Sequence, residues 1–172
     1  MRRGRFAKDD RGVTLVEFAL VLPVLLILLI GLVEFGEAFT VTRKLQTAAS
    51  TVSDLVSQQA SVSTATLDDI KLVADEIIKP YGTAPLGLVI LSVVADADNT
   101  TTVAWSYPST AYAAGAAYSL PQAGLTEPNS SIIVVEATYD FTPTISQFLG
   151  SYTIAERAYF KPRFSNSVAM AN

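Results

Sequence analysis

The sequence predicts an α+β protein, in which a long N-terminal helix, embedded in a membrane at first and amphipathic later, precedes a short helix packed on a roughly four-stranded, mostly antiparallel sheet. Three observations predict it: an apolar run near the N-terminus, a helical apolar period after it, and β-branched segments further on. The expected divisions are a basic leader at 1–12, a membrane helix at 13–33 that continues to about 58, a body at 59–163 and a tail at 164–172.

The apolar run from Val13 to Val33 has 21 residues and one charge, Glu17. As a helix it would be about 31 Å long, which is close to the hydrocarbon thickness of a bilayer. A cleavable secretory signal has a shorter apolar core of about 7–15 residues and a small-residue exit, which is absent here. The alternative is a buried core helix, but nothing else in the chain is large enough to surround one. The run therefore predicts a single transmembrane helix.

Charge is distributed unevenly. The first twelve residues carry a net charge of +3, and the remainder of the chain carries −7. By the positive-inside rule the leader stays in the cytoplasm and the body lies outside, which in a bacterium means the periplasm or the cell surface, with the helix in the inner membrane. An acidic body is also a poor surface for phosphate, which argues against nucleic acid as a partner.

The helix is expected to continue beyond the membrane, because apolar residues recur with spacings of three and four from Leu45 to Val56. Pro23 predicts a modest bend, since neighbouring groups in a membrane compensate for the lost hydrogen bond. Gly31 and Gly36 allow close approach of another helix, although their spacing is one residue longer than the small-xxx-small pattern.

In the body, Thr66 to Asp69 resembles a capping box that opens a short helix ending at Pro80, with Asp75 and Lys79 as a supportive pair. A polar loop is expected before this helix. The remaining expectations are strands at 86–95, 100–107, 131–141 and 151–160, a turn at 96–99, a long surface loop at 109–129 and a short helix at 142–149.

The composition excludes several kinds of site. Cysteine and histidine are absent, so disulfides, thiolate metal sites, cysteine nucleophiles and histidine acid–base catalysis are excluded. The sequence also has no phosphate-binding loop, dinucleotide-binding glycine motif or nucleophile elbow. Asp68 and Asp69 suggest a first-turn interaction with the helix dipole rather than a cation site. The acids at 96–99 suggest a plain turn rather than a calcium loop.

Three strand carboxylates, Glu136, Asp140 and Glu156, are expected to face solvent, because no other chemical group accompanies them as a catalytic pair would require. The aromatic residues of the body are expected in the sheet core rather than in a ligand site: Trp105, Tyr107, Tyr139, Phe141, Tyr159 and Phe160. The sequence thus predicts no catalytic residue, cofactor or metal.

The residues Gly12-Val13-Thr14-Leu15-Val16-Glu17-Phe18 follow the basic leader and open the membrane helix. This arrangement resembles the processing site of type IV prepilins and pseudopilins. In those families an inner-membrane aspartyl protease, the prepilin peptidase, cleaves after the glycine. The resemblance implies that Gly12 is the last leader residue, that Val13 is the new N-terminus and that Glu17 is the fifth mature residue.

Longer stretches are similar to the TadE-like pilus-assembly proteins of the Flp (tight adherence, Tad) system. VEFALVLPVLLILLIGLVEFG resembles their N-terminus, SIIVVEATYDFTP a later strand and RAYFKPR their closing segment. Major Flp pilins are much shorter and usually have tyrosine where Phe18 stands, and Pro23, the eleventh mature residue, precedes the proline position of longer type IV pilins. These departures point to a minor pseudopilin or an accessory component with a pilin-like helix, acting in filament initiation or adhesion.

The resemblance also implies a role for Glu17 and a set of partners. Glu17 would pair with the Val13 ammonium of a neighbouring subunit, and the alternative is a lone carboxylate that snorkels to the interface. Phe18 belongs to the same assembly surface. The implied partners are the prepilin peptidase, other pilins and pseudopilins, Tad inner-membrane assembly proteins and membrane lipid.

Three other functions remain open at this point. One is a membrane-anchored scaffold of the same machinery that is never processed. Another is a signal-anchored periplasmic enzyme, which without histidine and cysteine would depend on carboxylates, serine or lysine. The last is a major pseudopilin of type II secretion, whose C-terminal region usually differs and often binds calcium.

Overall fold

The computed structural model describes residues 11–122, 124–143 and 150–171. It confirms the α+β class, with a long apolar helix, a short helix and a four-stranded antiparallel sheet in the order β3-β2-β4-β5. A second, two-stranded sheet pairs β1 with β6 in parallel. The elements are α1 (Arg11–Ser57), β1 (Ser61–Val62), α2 (Thr64–Ile78), β2 (Leu86–Ala95), β3 (Thr101–Tyr107), β4 (Ser131–Phe141), β5 (Tyr152–Phe160) and β6 (Ala169–Met170).

Helix α1 is continuous, but its residues belong to two units that divide between Phe39 and Thr40. In the first unit the described side chains are mostly exposed. In the second unit α1 buries one apolar stripe at helical spacing, as its sequence period predicts. The buried apolar residues of this stripe are Val41, Leu45, Ala48, Ala49, Val52 and Val56.

Helix α2 begins three residues earlier than the capping-box pattern predicts. Ser63 is the N-cap, and its side chain accepts a hydrogen bond from the Thr66 backbone N–H at 3.2 Å. The expected first-turn role of Asp68 and Asp69 is therefore wrong, because both lie beyond the first turn. Asp68 instead accepts a hydrogen bond from the hydroxyl of Tyr107.

The C-terminal end of α2 also differs from expectation. Lys79 pairs with Glu76 at 2.6 Å rather than with Asp75, so the ion pair spans three residues instead of four. A lysine from α1 satisfies the carbonyls that the end of this helix leaves without intrahelical partners. Lys44 Nζ donates to the carbonyl oxygens of Ile77 at 2.9 Å and Lys79 at 2.6 Å.

Replacing Lys44 with methionine is expected to lower the free energy of unfolding of the body by about 1–2 kcal/mol, because two carbonyls lose their donor. Urea unfolding of the full chain in detergent would measure the change. Lys71→Met is the matched control, since Lys71 lies on α2 and makes no hydrogen bond or ion pair with the described residues. Equal stability of the two variants would contradict this assignment.

The sheet lies close to the predicted positions. Strands β2 and β4 have the predicted bounds, and β3 and β5 each begin one residue later than predicted. The turn between β2 and β3 is also confirmed: Asp96 Oδ1 accepts hydrogen bonds from the backbone N–H groups of Asp98 and Thr100, and Asn99 has a φ of 60°. This use of an aspartate side chain is typical of turns.

The two faces of the sheet have different coverings. One face carries the helices, because Glu156 of β5 accepts a hydrogen bond from Gln46 of α1 and Tyr107 of β3 bonds to α2. The opposite face is partly covered by the segment predicted as a surface loop at 109–129, whose described residues form no named helix or strand and are mostly exposed, as predicted, although Tyr118 and Thr126 are buried. Tyr118 is only 7% exposed and joins an apolar cluster with Leu91, Val93, Val103, Ile132 and Val134. Strands β2 and β4 are consequently buried on both faces.

The predicted tail at 164–172 makes several contacts with the body. Just before the tail, Arg163 forms an ion pair with Asp54 at 2.5 Å, and within the tail the carbonyl of Asn166 accepts a hydrogen bond from Ser131 Oγ at 2.8 Å. Trp105 Nε1 donates to the carbonyl of Val168 at 2.7 Å, and Val168 is 1% exposed. These contacts hold β6 beside β1.

The expected aromatic core is confirmed in part. Trp105, Tyr139 and Phe141 are buried, whereas Tyr107, Tyr159 and Phe160 are only half-buried. Of the short helix predicted at 142–149, residues 144–149 lie outside the described part of the chain, so this prediction stays untested.

Candidate processing and assembly segment

Four residues singled out from the sequence lie in the first turns of α1. Gly12, Val13, Glu17 and Phe18 are all exposed. Helical geometry places Val13 and Glu17 four residues apart on one face, with a rise of about 6 Å between their Cα atoms. In the expected pairing the ammonium and the carboxylate come from different subunits, and the exposure of both residues leaves each accessible to a second molecule.

The environment of Gly12 imposes no packing requirement for glycine. A Cβ added at this position meets no heavy atom within 4 Å. Alanine is also a better helix former than glycine by about 1 kcal/mol. Any need for glycine at position 12 therefore comes from something that binds this segment and not from the described fold of the chain.

The surface that follows is apolar and exposed. An 18-residue stretch of α1 has a mean hydropathy of 2.9, and none of it is buried. The helix is therefore long and apolar enough to cross a bilayer. Val13 is 59% exposed and Phe18 57%. An apolar surface of this size in water is costly, so it calls for lipid or for other apolar helices.

A proline and two glycines bear on the shape of the apolar surface of α1. Pro23 lies inside α1, which continues through it, and the expected bend stays a prediction. A Cβ built on Gly31 or Gly36 also meets nothing within 4 Å, so both glycines leave open space on the single helix. Just beyond the span predicted at residues 13–33, the rings of Phe35 and Phe39 stack with centroids 6.4 Å apart, and both side chains are more than half exposed.

Sequence reasoning missed a polar cluster around Glu136. The prediction that Glu136 faces solvent is wrong, because its side chain is 15% exposed. Its carboxylate accepts hydrogen bonds from the hydroxyls of Tyr112 at 3.0 Å and Tyr118 at 2.9 Å, and it pairs with Arg157 Nε at 3.0 Å. The sequence feature that could have indicated this cluster is the pair Tyr112 and Tyr118, which lie six residues apart in an alanine-rich segment. The cluster fastens the covering segment to the sheet, which is a structural role.

The other two strand carboxylates agree better with expectation. Asp140 is exposed and accepts a hydrogen bond from Thr153, while Glu156 is half-buried and bonded to Gln46. Within residues 11–122, 124–143 and 150–171, no group of three or more acidic side chains is arranged to hold a metal ion.

The tyrosines of the body predict a loss of stability at alkaline pH. Burial first, and then the hydrogen bond to Glu136, raise the pKa of Tyr118 above its ordinary value of 10, and the hydrogen bond to Asp68 raises the pKa of Tyr107 to about 12. The unfolded chain therefore releases these protons first. Their contribution is fully present below about pH 10 and is lost as the pH rises toward the folded pKa values.

Tyr118→Phe tests this contribution. The variant should be less stable at neutral pH, since it loses a hydrogen bond, and its stability should fall less steeply above pH 10, by up to about 1.4 kcal/mol per pH unit. Urea unfolding at pH 8 and at a series of higher pH values measures both effects. An unchanged alkaline slope would show that Tyr118 already ionises normally in the folded state.

A comparison with known protein families gives a match to α1. The family model described as TadE-like protein matches residues 12–54, a stretch that begins at Gly12 and covers most of α1. No curated protein and no solved structure matches the chain. The match includes Gly12, Val13, Glu17 and Phe18 together with the apolar surface behind them. Over residues 12–54, about a quarter of the chain, α1 is therefore similar to the TadE-like family.

Proposed function

We propose that this chain is a minor pseudopilin of a Tad (Flp) pilus that is cleaved after Gly12 and enters the filament through the exposed apolar face of α1. The observation that carries the proposal is the TadE-like match over residues 12–54, which coincides with an apolar surface without a covering in the single chain. TadE-like proteins are pilus-associated, so the partners are other pilus components. No catalytic role is assigned.

Before assembly, the chain would sit in the inner membrane with its leader in the cytoplasm. The net charge of +3 on the first twelve residues supports this orientation, and the body, which carries the acidic balance, would then lie in the periplasm. The prepilin peptidase would release the leader and leave an ammonium on Val13. A neighbouring subunit's Glu17 would neutralise this ammonium in an apolar environment, where an unpaired charge is costly.

An anchor swap tests the function. Cells lacking the chain should make fewer pili or none, and the wild-type chain should restore them. A version with residues 18–33 replaced by leucine keeps a helix that spans the membrane but loses the particular side-chain surface of α1. It should be inserted at normal levels and fail to restore piliation.

The same swap distinguishes the proposed pseudopilin from a membrane-anchored scaffold of the same machinery. A membrane-anchored scaffold needs the helix only to hold the body at the membrane, so polyleucine would restore piliation fully. That outcome, with the chain absent from pili sheared off the cells, would overturn the proposed function in favour of the scaffold.

A further inference from the structure

The four-stranded sheet has two edge strands, β3 and β5, and the chain itself pairs with part of the β3 edge. The paired part is the N-terminal half of β3. Val103 N–H donates to the Ala116 carbonyl at 2.8 Å, and Gly115 N–H donates to the Val103 carbonyl at 2.8 Å. Tyr118 N–H similarly donates to the Thr101 carbonyl at 3.1 Å. Residues 115–118 therefore already behave as a short additional strand on this edge.

The pairing stops after Val103. In the part of the chain that the structure describes, no backbone hydrogen bond joins residues 104–107 to a segment outside the sheet. An edge strand presents a row of backbone N–H and C=O groups on its outer side, and these groups favour a further extended segment. At this place the surface forms a groove of about 410 Å³, which runs past Ala104 to Pro108 and is bounded by Met170.

None of the described residues that line the groove is charged, and Trp105, Tyr107 and Tyr112 are among them. A charged side chain entering it would lose water without gaining a counter-charge, which is unfavourable. Small and apolar side chains can instead pack against the rings, while the backbone of an extended segment bonds to the strand. Residues 104–107 offer an edge about 13 Å long, enough for three or four residues.

We propose that this groove binds an extended, uncharged segment of another protein chain, which adds to β3 as a strand and continues the pairing begun by residues 115–118. Backbone bonding supplies the binding energy and the aromatic walls select small apolar side chains, as in other cases of strand addition. The site lies in the body, so it does not depend on cleavage after Gly12 or on assembly through α1.

Trp105 gives a direct measurement, because it is the only tryptophan in the chain and it lines the groove. The probe is the capped peptide acetyl-Thr-Val-Ala-Val-Thr-amide, titrated into the full chain in dodecyl maltoside while Trp105 fluorescence is followed. A saturable change is expected. The same peptide with N-methyl groups on its first valine and its alanine blocks hydrogen bonding on both edges and should produce no such change.

A pair of variants places the binding in the groove. Ala114 and Ala113 are both exposed, but only Ala114 lines the groove. Ala114→Phe should weaken peptide binding at least about tenfold, whereas Ala113→Phe should stay within about twofold of wild type. The proposal is overturned if fluorescence shows no saturable change, if the methylated peptide binds equally well, or if Ala114→Phe binds like Ala113→Phe.

Discussion

Replacing Glu17 by glutamine is expected to leave membrane insertion and cleavage intact and to lower the amount of the chain in filaments by at least about tenfold. The reason is electrostatic. Removing one member of a buried ion pair leaves the other charge uncompensated, at a cost of about 3–5 kcal/mol. Within the described residues Glu17 is exposed and has no ion pair of its own, so the substitution removes nothing from the single chain. Immunoblots of sheared pili against membrane fractions measure the effect.

Two further variants sharpen this test. Glu37→Gln neutralises another exposed acid of α1, beyond the span predicted at residues 13–33, and should assemble normally. Glu17→Asp keeps the charge on a shorter side chain and should retain part of the assembly. If Glu17→Gln assembles as well as Glu37→Gln, then Glu17 only snorkels to the interface and the proposed pairing with Val13 is wrong.

Gly12→Ala is expected to stop cleavage and, with it, filament entry. The fold leaves room for the added methyl group, because a Cβ at Gly12 meets nothing within 4 Å. The effect would therefore arise in the peptidase, whose cleavage site the residue occupies in the proposed mechanism. Mass analysis of the membrane-extracted variant, together with electron microscopy of the cells, measures both consequences.

Gly36→Ala is the matched control for this effect. Gly36 lies on the same helix with equally open space around its Cβ position, and alanine should leave cleavage unchanged. Normal cleavage of Gly12→Ala would show that the peptidase does not require glycine at this position. Cleavage that fails in both variants would indicate a general defect in membrane insertion instead.

The elements of the body were predictable where one local signal dominated. Strands β2 and β4 are long β-branched runs, so their bounds agree with the sequence pattern. Helix α2 was placed less well because two hydroxyl residues, Ser63 and Thr66, both suit an N-cap. Only the tertiary position decides between them, and Ser63 takes the cap.

The errors concern contacts between distant segments. The segment 109–126 contains no periodic pattern, yet Tyr112 and Tyr118 bond to Glu136 on a strand that follows it in the sequence. The pairing of β6 with β1 joins residues more than a hundred positions apart. A single sequence offers no local signal for either, because both depend on which surfaces the folded sheet leaves uncovered.

The candidate segment was predictable to a greater extent because its signals are local. A basic leader, a glycine, an acid five residues after that glycine and an apolar run all lie within residues 1–33 of the sequence. Cleavage and pairing, in contrast, involve other molecules, so the fold of one chain gives only the exposure of Gly12 and Glu17 and the apolar surface around them.

The most direct test of the central claim is the intact mass of the wild-type protein extracted from membranes and from sheared pili, in cells with and without an active prepilin peptidase. The account predicts a chain that begins at Val13 when the peptidase is active and retains the leader when it is not. A chain that still begins at Met1 in cells with active peptidase would contradict the account.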